Sequence, residues 1–289
     1  METVRVGGQA VIEGVMMRMK DSIAIAVRKN KKIVVKKEEY RSITNKYSFL
    51  KIPVLRGVVF VIEMMIIGLN ALTWSAEKQD EEVTQVETTL TLLISLLLAV
   101  GLFVVFPYWI SGFMFKSKTL SFNITDGILR LIIFIAYIYA IGQWKDVARI
   151  FQYHGAEHKT VNCYEAGEKL TVRNCKKFTT FHPRCGTSLL LIIVLLSIAV
   201  FSFVSTGHWY WNVSLRILLI PAIAGLSYEL LILCAKYKNS PITKTIMLPG
   251  RWTQALTTKE PDDSQLEVAI KSLNSVIYAA TIAKNYLNK

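Results

Sequence analysis

The sequence predicts an α-helical integral membrane protein with four transmembrane helices, an interfacial or re-entrant helix, a small N-terminal β unit and a cytoplasmic His/Cys loop. Three observations support this fold class. Of the 289 residues, 52% are hydrophobic and only 19% charged, the apolar residues fall in long blocks, and the net charge is +13. A soluble domain would be about a quarter charged. The composition therefore excludes a disordered tail, a disulfide-stapled miniprotein and an ordinary soluble enzyme.

Four apolar blocks have the length that crosses a membrane. About 20 apolar residues are needed to span a hydrocarbon core of about 30 Å. Tryptophans lie at or near the ends of several blocks, where interfacial aromatics are expected. The predicted spans are residues 88–111, 124–144, 187–206 and 213–235.

A fifth apolar stretch, residues 52–72, carries a polar stripe, because Arg56, Glu63 and Asn70 recur every seven residues. If it spanned and the other helices kept their orientation, the strongly basic first 51 residues would have to be translocated. We therefore predict an interfacial or re-entrant helix whose stripe faces protein.

Charge orients the predicted spans. Basic residues are concentrated in the N-terminal segment, in residues 145–186 and in the tail, so the positive-inside rule places both termini and that loop in the cytoplasm of a multi-pass cell-membrane protein. The lipid bilayer and its anionic headgroups are the expected partners of these charges, with no specific nucleic acid. The first 20 residues have no apolar core, so no signal peptide is expected. The oligomeric state is left open.

The polar segments divide the rest of the chain. Short β-branched runs with a turn at Asn30 predict strands in the first segment. In the tail, an irregular stretch from Ser240 to Pro261 precedes an amphipathic helix from about Asp263, with Ser264 and Glu267 as its capping box. The predicted units are a β unit (1–51), an interfacial helix with connector (52–87), a first transmembrane hairpin (88–144), the His/Cys loop (145–186), a second hairpin (187–235) and a cytoplasmic tail (236–289).

The chemically dense segment is the loop between the second and third spans. His154, Glu157 and His158 form H-x-x-E-H on a helix continuing from the second span, which suits a divalent metal with Glu157 as general base. His182 and Cys185 follow in HPRCG. These donors predict a zinc site on His154, His158, His182 and Cys185.

Alternatives remain open at this site. Cys163 and Cys175 are reserve ligands, and disulfides are not expected in a reducing cytoplasm. Four protein ligands would make the zinc structural, whereas a catalytic zinc keeps an open position. The histidines could also bind no metal and pair with Glu157 or Glu165.

Ionisable residues inside the spans form a separate group. Arg216 is expected to snorkel to the outer interface, while Asp126 with Arg130 is either an ion pair or another snorkelling set. Glu229 needs a partner, for which the metal site, Arg56 and Arg251 are the candidates.

Four motifs resemble the YqhQ-like family of multispanning membrane proteins. They are GGQAVIEGVMMR at 7–18, YHGAEHKTVNCYEAGE at 153–168, HPRCGTS at 182–188 and LPGRWTQALTTKEPDDSQLEVAI at 248–270. The resemblance implies a domain of unknown function that is often labelled a metal-dependent enzyme. It brings no reaction or substrate.

Two functions are therefore predicted. The first is a metal-dependent hydrolase, whose lipid or membrane-peptide substrate enters at the cytoplasmic interface. The alternative is a non-enzymatic scaffold or biogenesis factor, in which a structural zinc holds the loop while the basic surface docks a membrane protein, a translocon or a ribosome. A transporter ranks third, because intramembrane charges are few and no repeat pair is visible.

Overall fold

The computed structural model describes residues 6–79, 84–115, 120–204, 206, 208–237 and 240–287. The predicted N-terminal β unit is confirmed as a four-stranded antiparallel sheet in the order β1-β2-β3-β4. Two-residue turns join consecutive strands, and each turn contains one residue with a positive φ angle, as is common in tight hairpins: Glu13, Lys20 and Asn30. The strands are β1 (Gly7–Val11), β2 (Gly14–Met19), β3 (Ser22–Lys29) and β4 (Lys32–Glu39).

Helices form most of the remaining described chain. A π-helical turn at Gly101–Val105 joins α3 to α4, so that these two elements form one long apolar helix. The helices are α1 (Ile43–Lys46), α2 (Leu55–Lys78), α3 (Gln85–Val100), α4 (Phe106–Met114), α5 (Leu120–Ile141), α6 (Lys145–Glu165), α7 (Val172–Cys175), α8 (Gly186–Phe201), α9 (Trp209–Lys236), α10 (Pro241–Thr257) and α11 (Asp263–Leu287).

The sheet lies between two helical layers, because its strands alternate apolar side chains between both faces. One face carries Val15, Met17 and Ala24 against α6 and α11. The other face carries Met16 and Ile25 against the second half of α2. A sheet covered on both faces explains why its inner strands are almost fully buried.

The long apolar helices of the structure agree in part with the spans predicted from the sequence. Within the described residues, four helices are long and apolar enough to cross a membrane, and three of them match predicted blocks: Val86–Met114, α5 and α9. The fourth is α2, for which the sequence predicts an interfacial or re-entrant helix. The predicted block 187–206 instead forms α8, an apolar helix of 16 residues. α8 ends at Phe201, and Ser202 and Phe203 form a turn.

Close backbone contact joins α2 to α9. A methyl group on Gly57 would lie 2.5 Å from the Gly225 carbonyl oxygen, so only glycine permits this approach. Beside it, Arg56 Nε donates to Glu229 Oε1 at 2.7 Å, which answers the question of the Glu229 partner. The predicted stripe thus faces protein at Arg56 and also at Glu63, which is buried, whereas Asn70 is exposed.

Three local predictions are corrected. α6 is a separate helix, because a turn at residues 142–144 interrupts the path from α5. The stretch from Ser240 to Pro261 is largely helical as α10. The capping box of α11 is formed by Asp262 and Gln265, since each side chain binds the other's backbone N–H at 2.9 Å. Glu267 pairs with Arg28 instead, at 2.8 Å.

Arg216 does not snorkel, because it is fully buried in the helix bundle. Its Nη1 donates to Asp126 Oδ2 at 2.6 Å, and Arg130 Nη2 donates to the same oxygen at 3.1 Å. Arg216 Nη2 also donates to Asn123 Oδ1 at 2.9 Å. The three charged side chains form one network that ties α5 to α9.

Candidate metal centre

Three of the predicted ligands converge at one end of the helix bundle. α6 presents His154 and His158 one turn apart, as i and i+4 positions must be. Cys185 is the residue immediately before α8, and its side chain points back to the histidines. One donor atom from each lies within 4.8 Å of the others, and His154 Nε2 lies 3.2 Å from Cys185 Sγ.

Both imidazoles are hydrogen-bonded through Nδ1, the nitrogen that faces away from Cys185. His154 Nδ1 lies 2.9 Å from the carbonyl oxygen of Thr257, and His158 Nδ1 lies 2.5 Å from that of Thr180. A carbonyl oxygen only accepts, so both Nδ1 atoms carry the proton. The Nε2 atoms therefore present lone pairs toward Cys185, which is the arrangement of metal-binding histidines with ordered outer partners.

The surroundings favour the uncharged imidazole. Burial lowers the pKa of His158 below its ordinary value, against the opposing effect of Cys185. His158 is 1% exposed. Neutral imidazole and thiolate are the forms that bind zinc, so this pocket supplies a suitable donor set.

Gln254 on α10 braces the loop that carries Cys185. Its Oε1 accepts from the His182 backbone N–H at 2.9 Å, and its Nε2 donates to the His182 carbonyl at 2.9 Å. Nε2 also lies 2.7 Å from Ser188 Oγ on α8. Thr187 Oγ1 is 3.1 Å from Cys185 Sγ, which adds a second polar contact to the thiol. α10 thus supports the cluster from one side.

His182 stands beside the cluster rather than inside it. Its ring centroid lies 5.6 Å from that of His158, and its Nε2 lies 3.6 Å from Glu165 Oε2. Arg184 also pairs with Glu165. Burial would raise the pKa of Glu165, but His182 and Arg184 outweigh it and lower that pKa to about 2. The predicted fourth ligand therefore faces a carboxylate in this structure.

Glu157 points to the sheet. A methyl group on Gly8 of β1 would lie 2.9 Å from Glu157 Oε1, so glycine at this position leaves room for the carboxylate. Burial raises the pKa of Glu157 to about 7, partly offset by His154 and by the Gly8 backbone N–H. Glu157 is outside the converging group of three, and its role as general base stays a prediction.

The reserve ligands lie elsewhere. Cys163 and Cys175 are fully buried in the core between the sheet, α6 and α11. Burial raises the pKa of both thiols, that of Cys175 to about 12. Such thiols are poor metal ligands, because the thiolate is the binding form.

Sequence reasoning missed the outer partners of the cluster. Thr180 and Thr257 act through backbone carbonyls, which leave no residue-type signal. Gln254 and Thr257 do lie within the motif at 248–270. Nothing in the sequence indicated that this motif packs on the histidine loop, because more than 90 residues separate Gln254 from His158.

Comparison with known proteins agrees with the motifs. Residues 52–279 match the family model described as a protein of unknown function (DUF1385). The chain is 34% identical over 291 residues to the uncharacterized protein YqhQ of Bacillus subtilis (strain 168), covering 94% of this chain and 92% of that protein. No solved structure matches. The chain therefore belongs to the DUF1385 family of proteins of unknown function.

Proposed function

We propose that this membrane protein holds one zinc ion on His154, His158 and Cys185 at the cytoplasmic face of the cell membrane. One observation carries the proposal. Both histidines donate Nδ1–H to a backbone carbonyl, so their Nε2 lone pairs converge on the Cys185 sulfur. Hydrogen bonds from Nδ1 to a carbonyl are the outer contacts that orient metal-binding histidines.

The position of the site follows from the proposed topology. We infer four spans with both termini in the cytoplasm, formed by the long helices Val86–Met114, α5 and α9 and by the shorter apolar helix α8 in place of α2. Cys185 precedes α8, and its neighbour Leu189 packs at the level of Cys234, near the Lys236 end of α9. The cluster would then lie at the inner interface, within reach of lipid headgroups.

Three protein ligands support a metal-dependent hydrolase. Catalytic zinc sites use three ligands and keep one position open, where the ion supplies Lewis-acid activation of water. The residues would bind and orient the ion, while Gln254 and Thr257 keep the ligands in place. The substrate class suggested by the location is a lipid or a membrane peptide.

A structural zinc is the second candidate, and the position of His182 favours it. Its ring centroid lies 5.6 Å from that of His158, and within the described residues its buried Nε2 has no hydrogen-bond partner that would compete with a metal. Four ligands would close the site. The protein would then be a membrane scaffold or biogenesis factor in which the metal pins the loop 145–186.

Metal content tests the shared part of both proposals. Zinc is measured by elemental analysis in the detergent-purified chain and in the double variant His154→Ala/His158→Ala. The control is His208→Ala, which removes the one histidine outside the loop 145–186, an exposed side chain before α9. We expect zinc in the parent chain and in the control and its loss in the double variant. Equal zinc in all three would eliminate the site.

Cobalt spectroscopy separates the two candidates. Co²⁺ replaces zinc in the purified chain, and azide is added as a small anion that can occupy an open position. If azide shifts the visible spectrum of the parent chain, the three-ligand site is supported. If azide shifts only the spectrum of His182→Ala, the closed four-ligand site is supported.

Glu157→Gln tests the proposed general base. The variant should keep its metal content and lose hydrolysis.

A further inference from the structure

We propose that residues 43–62 form a re-entrant hairpin that dips into the cytoplasmic leaflet to about mid-depth and packs against lipid acyl chains. The descending limb comprises α1 and the turn at Ser48–Lys51, and the ascending limb is the first two turns of α2. By length and composition, α2 could instead cross the whole membrane. Its contacts decide against that.

The second half of α2 belongs to the cytoplasmic unit. Ile67 and Ala71 pack on the sheet, and Ser75 Oγ accepts from the Ile12 backbone N–H at 3.1 Å. The Gln79 side chain, just beyond the helix, donates to the Arg28 carbonyl at 3.0 Å. A segment covered by a sheet whose outer strand is rich in lysine cannot lie in hydrocarbon.

Glu63 lies at the end of the hairpin that faces the cytoplasm, opposite its tip. It is 5% exposed, and its Oε1 accepts from Ser42 Oγ at 2.9 Å and from the Ile43 backbone N–H at 2.8 Å. These bonds join the start of the descending limb to the middle of α2. If α2 spanned the membrane, this junction would lie deep inside it, and the descending limb would have to double back through the bilayer.

The tip of the hairpin reaches the middle of α9. Chain direction reverses at Val54, whose φ of 71° is strained for a β-branched residue. The Val54 carbonyl packs on Gly225, and Phe60 stacks near Tyr228 with ring centroids 4.5 Å apart. Gly225 lies 11 residues before the end of α9 at Lys236. At 1.5 Å per residue that is about 16 Å, close to half of a hydrocarbon core.

The surface of the hairpin suits acyl chains. Phe49 is 61% exposed and Ile52 is 55% exposed, both before the chain reversal at Val54. The charges do not oppose immersion, because Arg56 is paired with Glu229 and the flexible Lys46 and Lys51 can snorkel toward anionic headgroups. The other large apolar side chains exposed on the two limbs are Ile43, Tyr47, Leu55 and Ile62.

Fluorescence quenching measures the depth directly. Bimane is attached to Ile52→Cys or Phe49→Cys in the full chain, reconstituted in vesicles of phosphatidylcholine and phosphatidylglycerol. Quenchers are iodide in water and doxyl groups placed shallow or deep on the acyl chains. Ile132→Cys in the middle of α5 is the deep control and Lys31→Cys in the β3–β4 turn is the aqueous control. The parent chain gives the labelling background, because its four cysteines are buried.

We expect the Ile52→Cys label to be quenched by deep doxyl groups as strongly as the Ile132→Cys label, and several-fold less by iodide than the Lys31→Cys label. Quenching by iodide from the side opposite Lys31→Cys would show a spanning α2 and overturn the proposal. Quenching by shallow doxyl groups alone would show a helix lying in the interface and would also overturn it. Phe49→Cys must give the same ranking, which guards against misfolding at one position.

Discussion

Gln254→Leu should loosen the proposed zinc site without changing a proposed ligand. The Gln254 side chain is 1% exposed, and leucine has a similar volume without polar atoms. The substitution removes three hydrogen bonds and leaves the His182 N–H and C=O without these partners. The His182 carbonyl also accepts from the Cys185 N–H at 3.3 Å, so the freed turn carries a ligand.

Two magnitudes follow from these contacts. At about 1 kcal/mol for each hydrogen bond, the free energy of unfolding should fall by about 3 kcal/mol. Loss of an outer-shell partner lowers metal affinity about 10- to 100-fold, which corresponds to about 1.4–2.8 kcal/mol of binding free energy. Only the second effect depends on the role of Gln254 at the site.

Gln265→Leu is the matched control. Gln265 is also fully buried, and its side chain accepts from the Asp262 N–H at 2.9 Å and donates to Gln152 Oε1 at 3.0 Å. Zinc affinity is measured by competition with a chromophoric chelator, and stability by thermal melting in detergent. Both variants should melt earlier, but only Gln254→Leu should bind zinc more weakly.

Equal zinc affinity in the two variants would refute the reasoning. It would mean that the cluster tolerates a loose loop, or that the contacts of Gln254 serve only to pack α10 against α8. A lower melting temperature of the zinc-free chain would not distinguish these roles. Zinc affinity is therefore the decisive measurement.

Three further outcomes are expected. Asp126→Asn leaves Arg130 and Arg216 buried without a counterion, so thermal melting should show a loss of about 3–5 kcal/mol, against about 0.5 kcal/mol or less for the exposed Asp263→Asn; a small effect at Asp126 would show that the arginines find other partners. Because the pKa of Glu165 is lowered to about 2 from an ordinary 4.5, its carboxylate stabilises the fold above pH 4.5 and loses that effect as the pH falls toward 2. The stability difference between the parent chain and Glu165→Gln should therefore be largest at neutral pH and shrink in acid, and a constant difference in pH-dependent melts would contradict this. Burial raises the pKa of Cys175 to about 12, so maleimide at pH 8 should modify it only after denaturation, and rapid labelling of the native chain, located by peptide mapping, would show that the core around it opens.

The local sequence pattern predicted the helices and strands better than it predicted their position relative to the membrane. Alternating β-branched runs and a turn at Asn30 were enough for the sheet, because hairpins are local structures. Hydropathy alone could not show whether residues 52–72 cross the membrane. An apolar helix face that packs on a sheet and one that faces lipid have the same hydropathy pattern. The buried position of Arg216 depends on Asp126 in another helix, and nothing near Arg216 in the sequence signals that contact.

The candidate site was predictable for the same reason. His154 and His158 are one turn apart on α6, and Cys185 follows within the same loop, so their meeting needs little tertiary information. The orientation of Glu157 toward Gly8 could not be read from H-x-x-E-H, because β1 is supplied by the distant N-terminus. The partner of His182 was likewise set by the fold of residues 165–184 rather than by spacing.

The dependence of the cluster on α10 has a consequence for biosynthesis. Cys185 leaves the ribosome 72 residues before Thr257, whose carbonyl fixes His154. His154 precedes Thr257 by 103 residues, so at about 5–20 residues per second it waits roughly 5–21 s for that partner. Loading of the proposed zinc should therefore be one of the last events in maturation, and a nascent chain arrested before α10 should retain less zinc than the full chain.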